Sequence, residues 1–517
     1  MKTRVIIILA LTGLLGFVQP ASAQKKMGRY HKNLLYEADI YYAQGDFYYA
    51  SELYTELCKV QPNNGELLGK LGICYFNLPP LKNDAERFLE LAVQNGDQEA
   101  KFYLAKLCIE DYRFYDAMRY LNQYREYSRR MHSNKEIEHL FACAERGSKM
   151  VQAPIRVTIR NLGEEVNSNM HDYAPVWDLV DEKLYFTSRR RYDDQSIKDF
   201  SEQFDENIFF VDLKARSKRA FPAPDPLNTR TNDAVVSCSQ DGKQLLVFRT
   251  RKDGFSGDLY ETVKDGYSWG QLVKLDSEIN TKHHEASASF GKIGSKEIYF
   301  SSDRPGGFGG KDIYRITMLP NGEWGQPQNL GEKINTPFDE DAPFISSDGA
   351  LYFASEGHET MGGYDVFCSA PDGFDWKNPI NLGYPINTPG DDIFFTMNPE
   401  GTKAYFSSER PNGFGLQDIY EVVFDEANTI IFRGELVAPE MDSSETATVT
   451  LLNDENGKVE GKYQIDYQTS SFVLPVNTNQ NYTILVEAKG YKTYEQSIFF
   501  REGLAKSEVV EQVKLSR

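Results

Sequence analysis

Ser301-Ser302-Asp303-Arg304-Pro305-Gly306-Gly307-Phe308-Gly309-Gly310-Lys311-Asp312-Ile313-Tyr314 decides how this chain of 517 residues is read. The aromatic run Ile298-Tyr299-Phe300 leads into it and Asp312-Ile313-Tyr314 closes it, so a Ser/Arg/Gly-rich loop joins two strands. The phrase returns as Ser407-Ser408-Glu409-Arg410-Pro411-Asn412-Gly413-Phe414-Gly415, ahead of Asp418-Ile419-Tyr420. A second landmark repeats with it. Asn329-Leu330-Gly331-Glu332-Lys333-Ile334-Asn335 recurs as Asn161-Leu162-Gly163-Glu164-Glu165-Val166-Asn167 and as Asn381-Leu382-Gly383-Tyr384-Pro385-Ile386-Asn387, with looser versions ending at Asn228 and Asn280. Five repeats therefore begin at 167, 228, 280, 335 and 387, with spacings of 61, 52, 55 and 52 residues.

That period, filled with alternating strands and tight turns, belongs to propeller blades. Each repeat reads as an acidic position, a strand, a hairpin turn such as Asp241-Gly242 or Asp348-Gly349, an aromatic strand, the loop and a third strand. The fourth, outer strand precedes the next repeat Asn. The first Asn-Leu-Gly copy precedes the first inner strand and no copy follows the last, so the segment around Arg156 to Arg160 should pair beside the strand ending at Val423. Such closure removes exposed sheet edges.

Two other periods flank this one. From Asn33 to about Met150 apolar residues recur at helical spacing, and Tyr49-Ala50, Asp84-Ala85 and Asp116-Ala117 mark three copies at intervals of 35 and 32 residues. A small Ala where two helices approach, with large residues one turn on, suits stacked helix pairs. From Thr429 to about Gly503 alternation returns, with a turn at Glu455-Asn456-Gly457. The expected fold class is thus a multidomain α plus all-β chain: an N-terminal α-helical solenoid over 24–150, a five-bladed β-propeller over 153–425, a C-terminal β-sandwich over 428–503 and a tail over 504–517.

Ahead of these, Lys2 and Arg4, the apolar run from Val5 to Val18 and Ala21-Ser22-Ala23 have the layout of a cleavable secretory signal over 1–23, with the mature chain starting at Gln24. The apolar run is short of the roughly 20 residues of a spanning helix, so no membrane span is expected. No Cys stands at the cleavage point to carry a lipid. Removing Lys2 and Arg4 takes the formal charge from −19 to −21, and 18 basic against 18 acidic residues between Gln24 and Met150 leave the acidic excess in the β part. Such a surface repels nucleic acid and anionic headgroups. The six Cys, at 58, 74, 108, 143, 238 and 368, show no metal-ligand spacing, and Cys74 and Cys108 read as small packing residues.

Several families resemble these segments. The helical part resembles the tetratricopeptide repeat (TPR), carried by Gly45-Asp46-Phe47-Tyr48-Tyr49-Ala50, Pro62, Gly72 and Ala92. The phrase at 301–314 resembles the PD40 family, the WD40-like repeat of TolB-like propellers. The last segment, ending in Ala488-Lys489-Gly490-Tyr491, resembles the carboxypeptidase regulatory-like sandwich, with Tyr467-Gln468-Thr469-Ser470-Ser471-Phe472 in place of that family's Asp-x-x-Gly-x-Phe. In this order the three resemble the PorE-type periplasmic family of type IX secretion. Members of that family usually continue into an OmpA-like domain that holds peptidoglycan; here the chain ends at Arg517, so peptidoglycan binding is not expected.

The chemistry-bearing residues point to binding and structure. No Gly-x-Ser-x-Gly elbow occurs, and Gly254-Phe255-Ser256-Gly257 reads as a turn. His171, Asn232, His284, Asp339 and Asp391 share one loop position, where three chemistries suggest a hydrogen-bonding loop rather than a general base. Gly306 to Gly310 lacks the Lys-Ser/Thr pair of a phosphate loop and reads as a flexible connection. Asp172, Asp233, Glu285, Glu340 and Asp392 each lie five residues after the repeat Asn, so closure would ring one channel mouth with carboxylates that could hold a metal. The preferred expectation is a blade-to-blade staple of these acids with Ser188, Thr250, Ser302, Ser355 and Ser408 and the bases Arg190, Arg251, Arg304 and Arg410. The fourth repeat has Gly357 and His358 where the base should be, so Glu340 should lack an Arg and be the acid most open to an outside ligand. Among the 14 Tyr of residues 24–150, Tyr41, Tyr42, Tyr48, Tyr75 and Tyr112 are the candidate partner-binding residues.

The functional expectation is a non-enzymatic interaction scaffold in the periplasm, peripherally associated with the outer membrane, with envelope proteins as partners and no cofactor. The alternative is a glycan- or peptide-binding sensor using the acidic propeller face.

Overall fold

The structure is a computed structural model that describes residues 27–517 apart from 79–80, 195, 197, 199–202, 252–255, 267, 425–428, 439–445, 455–456, 467–470, 478–480 and 500–507. The signal segment, Gly254-Phe255, Glu455-Asn456 and Tyr467 to Ser470 lie outside the described residues. The chain divides into two compact units, 1–103 and 104–517.

In the first unit four helices follow one another: α1 (Arg29–Ala43), α2 (Phe47–Val60), α3 (Gly65–Phe76) and α4 (Lys82–Gln94). The side chain of Asp46 caps α2 by accepting the Tyr49 N–H, and that of Asn64 caps α3 by accepting from Leu67, each satisfying a donor the helix leaves unpaired. Ala50 and Ala85, the small residues of the helical repeat, are completely buried. At Gly72 an added Cβ would come 2.8 Å from the Leu89 side chain, so α3 and α4 pack closer than any other residue permits.

Helix α5 (Ala100–Glu110) spans the division, and α6 (Phe114–Arg125) and α7 (Asn134–Gln152) belong to the second unit. Ser133 and Glu136 form a reciprocal capping box that starts α7. No described helix is long and apolar enough to cross a membrane.

The repeats fold as five antiparallel sheets, four with a four-strand path in chain order and the fifth completed by a strand from ahead of the first repeat, which gives the β part a β-propeller-like architecture. Sheet one runs Asp172–Asp178, Lys183–Ser188, Asn207–Asp212 and Phe221–Pro222; sheet two Asp233–Cys238, Gln244–Thr250, Gly257–Asp265 and Val273–Lys274. Sheet three runs Ala288–Phe290, Glu297–Ser302, Asp312–Thr317 and Gln328–Asn329; sheet four Glu340–Ile345, Leu351–Ser355, Asp365–Ser369 and Ile380–Asn381. Sheet five takes Asp392–Met397, Lys403–Ser408 and Asp418–Phe424 from its own repeat and Val157–Asn161 from ahead of the first. That N-terminal strand pairs antiparallel with the third strand, Val157 opposite Phe424 and Asn161 opposite Tyr420, as the count of outer strands requires. The first strand of each sheet touches that of the next, and sheet five touches sheet one.

Beyond the repeats, Thr429–Val437 pairs with Ser471–Asn477 and, in parallel, with Glu508–Lys514, while Thr446–Asn453, Lys458–Asp466, Asn481–Ala488 and Tyr494–Phe499 form a second sheet. Phe432, Leu474 and Val513 of one and Val449, Ile484 and Ile498 of the other share one buried cluster. The expected tail over 504–517 is therefore corrected: it supplies a strand and two core side chains, Val513 and Leu515. Its alternation, Val509 to Leu515, is short and charged, which hid it.

Candidate functional site

The five repeat acids each accept several hydrogen bonds, and the sequence places them identically. Each lies at or just ahead of its sheet's first strand and is at most 4% exposed. In every repeat the residue after the Asn is Ser or Thr, and its N–H and hydroxyl both donate to the acid four residues on. The backbone distances are 2.5 Å for Ser168 to Asp172, 2.6 Å for Thr229 to Asp233, 3.0 Å for Thr281 to Glu285, 2.6 Å for Thr336 to Glu340 and 2.5 Å for Thr388 to Asp392. These five hydroxyl residues were missed as functional, although an Asn-Ser/Thr pair opening each repeat was legible.

The second strand supplies the next layer. Ser302 donates to Glu285 at 2.6 Å, Ser355 to Glu340 at 2.7 Å and Ser408 to Asp392, while Ser188 receives Arg190 Nε at 2.7 Å. The guanidiniums of Arg190, Arg304 and Arg410 reach Asp172, Glu285 and Asp392 at 2.5, 3.3 and 3.1 Å. Each also lies about 5 Å over an aromatic ring of the second strand, Phe186, Phe300 or Phe406, where the ring quadrupole favours a cation. In sheet two the expected pair, Thr250 and Arg251, is corrected. Asp233 faces Arg249 across the strands, and that guanidinium pairs with it, while Arg251 bridges Asp258 at 2.6 Å and Thr250 bonds the Asn232 backbone. Arg249 stands opposite Asp233 as Ser188 stands opposite Asp172, so here the base occupies the place of the Ser.

The blade-to-blade geometry is also corrected, because acid and base belong to the same sheet. Neighbouring sheets are tied through the connector between them, gripped from both sides. On the side it leaves, the repeat Asn copies a strand edge: Asn387 accepts the Val366 N–H at 2.8 Å and donates to the Val366 carbonyl at 2.9 Å. Asn167, Asn228, Asn280 and Asn335 do the same to Ile419, Ile208, Leu259 and Ile313. On the side it enters, the Arg donates to connector carbonyls: Arg190 to Val166, Arg249 to Pro226 and Leu227, Arg304 to Glu278 and Ile279, and Arg410 to Ile386. Buried backbone groups left without partners would cost free energy, and these side chains supply the partners.

Sheet four departs from the pattern. Among the described residues Glu340 has no ion pair, and His358 Nε2 lies 2.8 Å from the Ile334 carbonyl, taking over the connector bond alone. Burial pushes Asp233 and Asp392 upward while their guanidiniums pull them back. With no guanidinium, burial raises Glu340 to about 7. The expectation that Glu340 is open to an outside ligand is corrected, since it is 0% exposed.

The metal reading fares no better. The acids bond Ser, Thr and Arg rather than one another, and no group of three His, Cys, Asp or Glu among the described residues is placed to hold a metal. Between the first strands lies a cavity of about 60 Å³ lined by residues such as Ala174, Val235, Ser287, Ala342 and Thr396. That is under half of the roughly 150 Å³ that a benzene-sized ligand needs.

The shared loop position bonds backbone, as expected: Asn232, Asp339 and Asp391 accept N–H groups of Glu206, Lys311 and Tyr364. The Gly-rich loop is not a flexible connection. An added Cβ would meet backbone oxygen of the next connector at 2.4 Å from Gly309, 2.1 Å from Gly362 and 2.0 Å from Gly415, so glycine is required for close approach.

Of the candidate tyrosines, Tyr41, Tyr42 and Tyr75 are half-buried against the core of the first unit, and Tyr48 is half-buried on α2. The exposed ones are Tyr30, Tyr36, Tyr49 and Tyr115. Tyr112, in the second unit, meets Tyr384 edge-on at 6.2 Å beside an open groove of about 470 Å³ that Pro385, Thr388 and Arg410 also line. No disulfide joins the described cysteines, and Cys74 and Cys108 are both buried.

No family description matches the chain, and no curated relative does. Among solved structures it is similar to a gluconolactonase from Xanthomonas campestris at 13% identity, covering 53% of this chain and 91% of that one with a TM-score of 0.30. It is also similar to an α-L-arabinofuranosidase from Lactobacillus brevis at 14% identity, covering 50% and 92% with a TM-score of 0.33. An endo-arabinase from Bacteroides thetaiotaomicron gives 14% identity, 50% and 95% coverage and a TM-score of 0.34. At this identity and overlap the likeness reaches neither substrate nor chemistry.

Proposed function

We propose that this protein is an exported, non-enzymatic interaction scaffold of the cell envelope, periplasmic and peripherally associated with the outer membrane, in a complex related to type IX secretion. Its parts are a tetratricopeptide-like solenoid, a five-bladed PD40 propeller and a carboxypeptidase regulatory-like sandwich. One observation carries the reading: the repeated acids, hydroxyls, amides and guanidiniums of the β part, which in an enzyme would be the first candidates for chemistry, bond one another and the connectors. A surface rich in acid, with half-exposed aromatics, is then left for partners.

Purification of a tagged chain from envelope fractions after cross-linking tests this. A stable stoichiometric complex with defined envelope proteins is expected. A monomer that binds glycan or free peptide and brings down no protein would favour the sensor reading instead, and detergent-only release would refute peripheral association.

A further inference from the structure

Helix α7 rests on sheet four, and its two contacts hang from the one repeat acid that has no cation. His139 stacks on Phe338 at 4.3 Å between ring centres, Lys135 lies 5.0 Å over the same ring, and Arg146 Nε donates to the Thr360 carbonyl at 2.9 Å. Phe338 lies in the turn that Glu340 organises. The Glu340 carboxyl accepts the Thr336 N–H and hydroxyl, both at 2.6 Å, and Thr336 Oγ1 in turn accepts the Phe338 N–H at 3.1 Å. On the other side Ser355 donates to Glu340, and its oxygen accepts the N–H of Gly357 at 2.9 Å and of His358 at 3.3 Å, at the start of the loop that carries Thr360. Both footholds of α7 are thus within a few bonds of one buried carboxyl.

We propose that sheet four is a pH-responsive landing for α7, firm while Glu340 is protonated and loosened when it ionises. Protonated, the carboxyl donates to Thr336 Oγ1, which then turns from donor to acceptor, while the Thr336 N–H and the Ser355 hydroxyl still donate to it. Ionised, it is a buried charge with no counter-ion, and the turn that holds Phe338 must open to hydrate it. In the other sheets a guanidinium stands beside the acid as counter-ion.

The groups facing Glu340 add to the effect or leave it unchanged. From sheet three, the negative Asp312 disfavours its ionisation, and Lys311 is committed to Asp341 at 2.7 Å. Within sheet four, His358 is held neutral by burial, and Asp365 is pushed upward. From α7, burial and the neighbouring Arg146 and Lys135 depress His139 to about 4, so it stays neutral between pH 6 and 8. Glu356, also raised to about 7, adjoins the same turn, its N–H donating to the Asp339 carbonyl at 3.1 Å and its carboxyl facing Asp339, Asp391, Lys106 and Lys311.

Hydrogen exchange of the full mature chain, corrected for the intrinsic pH dependence of amide exchange, tests the device. With Glu340 near 7 when the turn is closed and in the ordinary carboxylate range when open, the opening of α7 should rise about tenfold between pH 6 and pH 8. Glu340→Gln should abolish that rise, and Phe338→Ala should raise exchange of α7 at both pH values while the sheets stay protected. Wild-type exchange that does not change with pH, a rise that persists in Glu340→Gln and so belongs to Glu356 or another group, or α7 protection untouched by Phe338→Ala would each overturn the proposal.

Discussion

Sheets four and five share strand order, bulge position and connector chemistry, yet they answer differently to the same buried acid. In both, the inner strand carries a left-handed residue at the bulge, Ala342 with φ 51° and Phe394 with φ 59°, and the acid accepts the Thr N–H and hydroxyl and a Ser hydroxyl. Sheet five adds Arg410, which neutralises Asp392, grips the Ile386 carbonyl and packs on Phe406. Sheet four has His358, which keeps only the carbonyl bond. Gly357, where the Arg would stand, is closed to a side chain, because a Cβ would lie 1.8 Å from Thr336 Oγ1. The comparison teaches that the connector bond holds the repeat together, whereas the ion pair sets the charge state of the acid.

The most severe way to break the comparison is to remove the acid where the base remains. Asp392→Ala leaves Arg410 largely buried and unpaired, and should cost about 3–5 kcal/mol, read as a fall in the urea midpoint. Asn387→Ala orphans the buried Val366 N–H, while the Val366 carbonyl keeps the Leu382 N–H, for about 2 kcal/mol, and the same loss is expected from Asn335→Ala at Ile313, since the Asn clamp is common to both sheets.

Glu340→Gln sharpens the difference and should have the opposite sign. Because folding raises the Glu340 pKa from the ordinary range to about 7, its favourable contribution is full below the unfolded value and lost as pH rises through 7. The amide should therefore stabilise by about 2 kcal/mol at pH 8 and by little at pH 5, measured by melting at both. Smallest, His358→Ala should cost about 1 kcal/mol at pH 8 for the lost Ile334 carbonyl bond, and because burial lowers the His358 pKa that cost should shrink as pH falls below the ordinary histidine range, measured by melting at pH 8 and pH 5.

Much of the fold was legible because it is periodic. The Asn spacing located the repeats, and the order of outer and inner strands predicted the pairing of Val157–Asn161 with the last repeat. The acids at 172, 233, 285, 340 and 392 were identified, with Ser302, Ser355 and Ser408 and with Arg190, Arg304 and Arg410, because a residue type recurring at one register has a recurring partner. The missing base of the fourth repeat could also be read directly. The partner of Asp233 was not read, because the hydroxyl-and-base pattern of the other loops points to Thr250 and Arg251 while the strand register sets Arg249 opposite the acid.

By itself, then, the sequence determined the repeat, its strand order and the identity of the side chains that recur, since alternation and spacing are local properties of the chain. Tertiary structure alone decided which backbone each of those side chains grips, that Gly309, Gly362 and Gly415 serve close approach rather than flexibility, that residues 508–514 join a sheet, and that α7 lands on the repeat whose acid has no counter-ion. The physical reason is that burial and long-range hydrogen bonds depend on which segments meet in space, and neither distance nor desolvation is written in the order of residues.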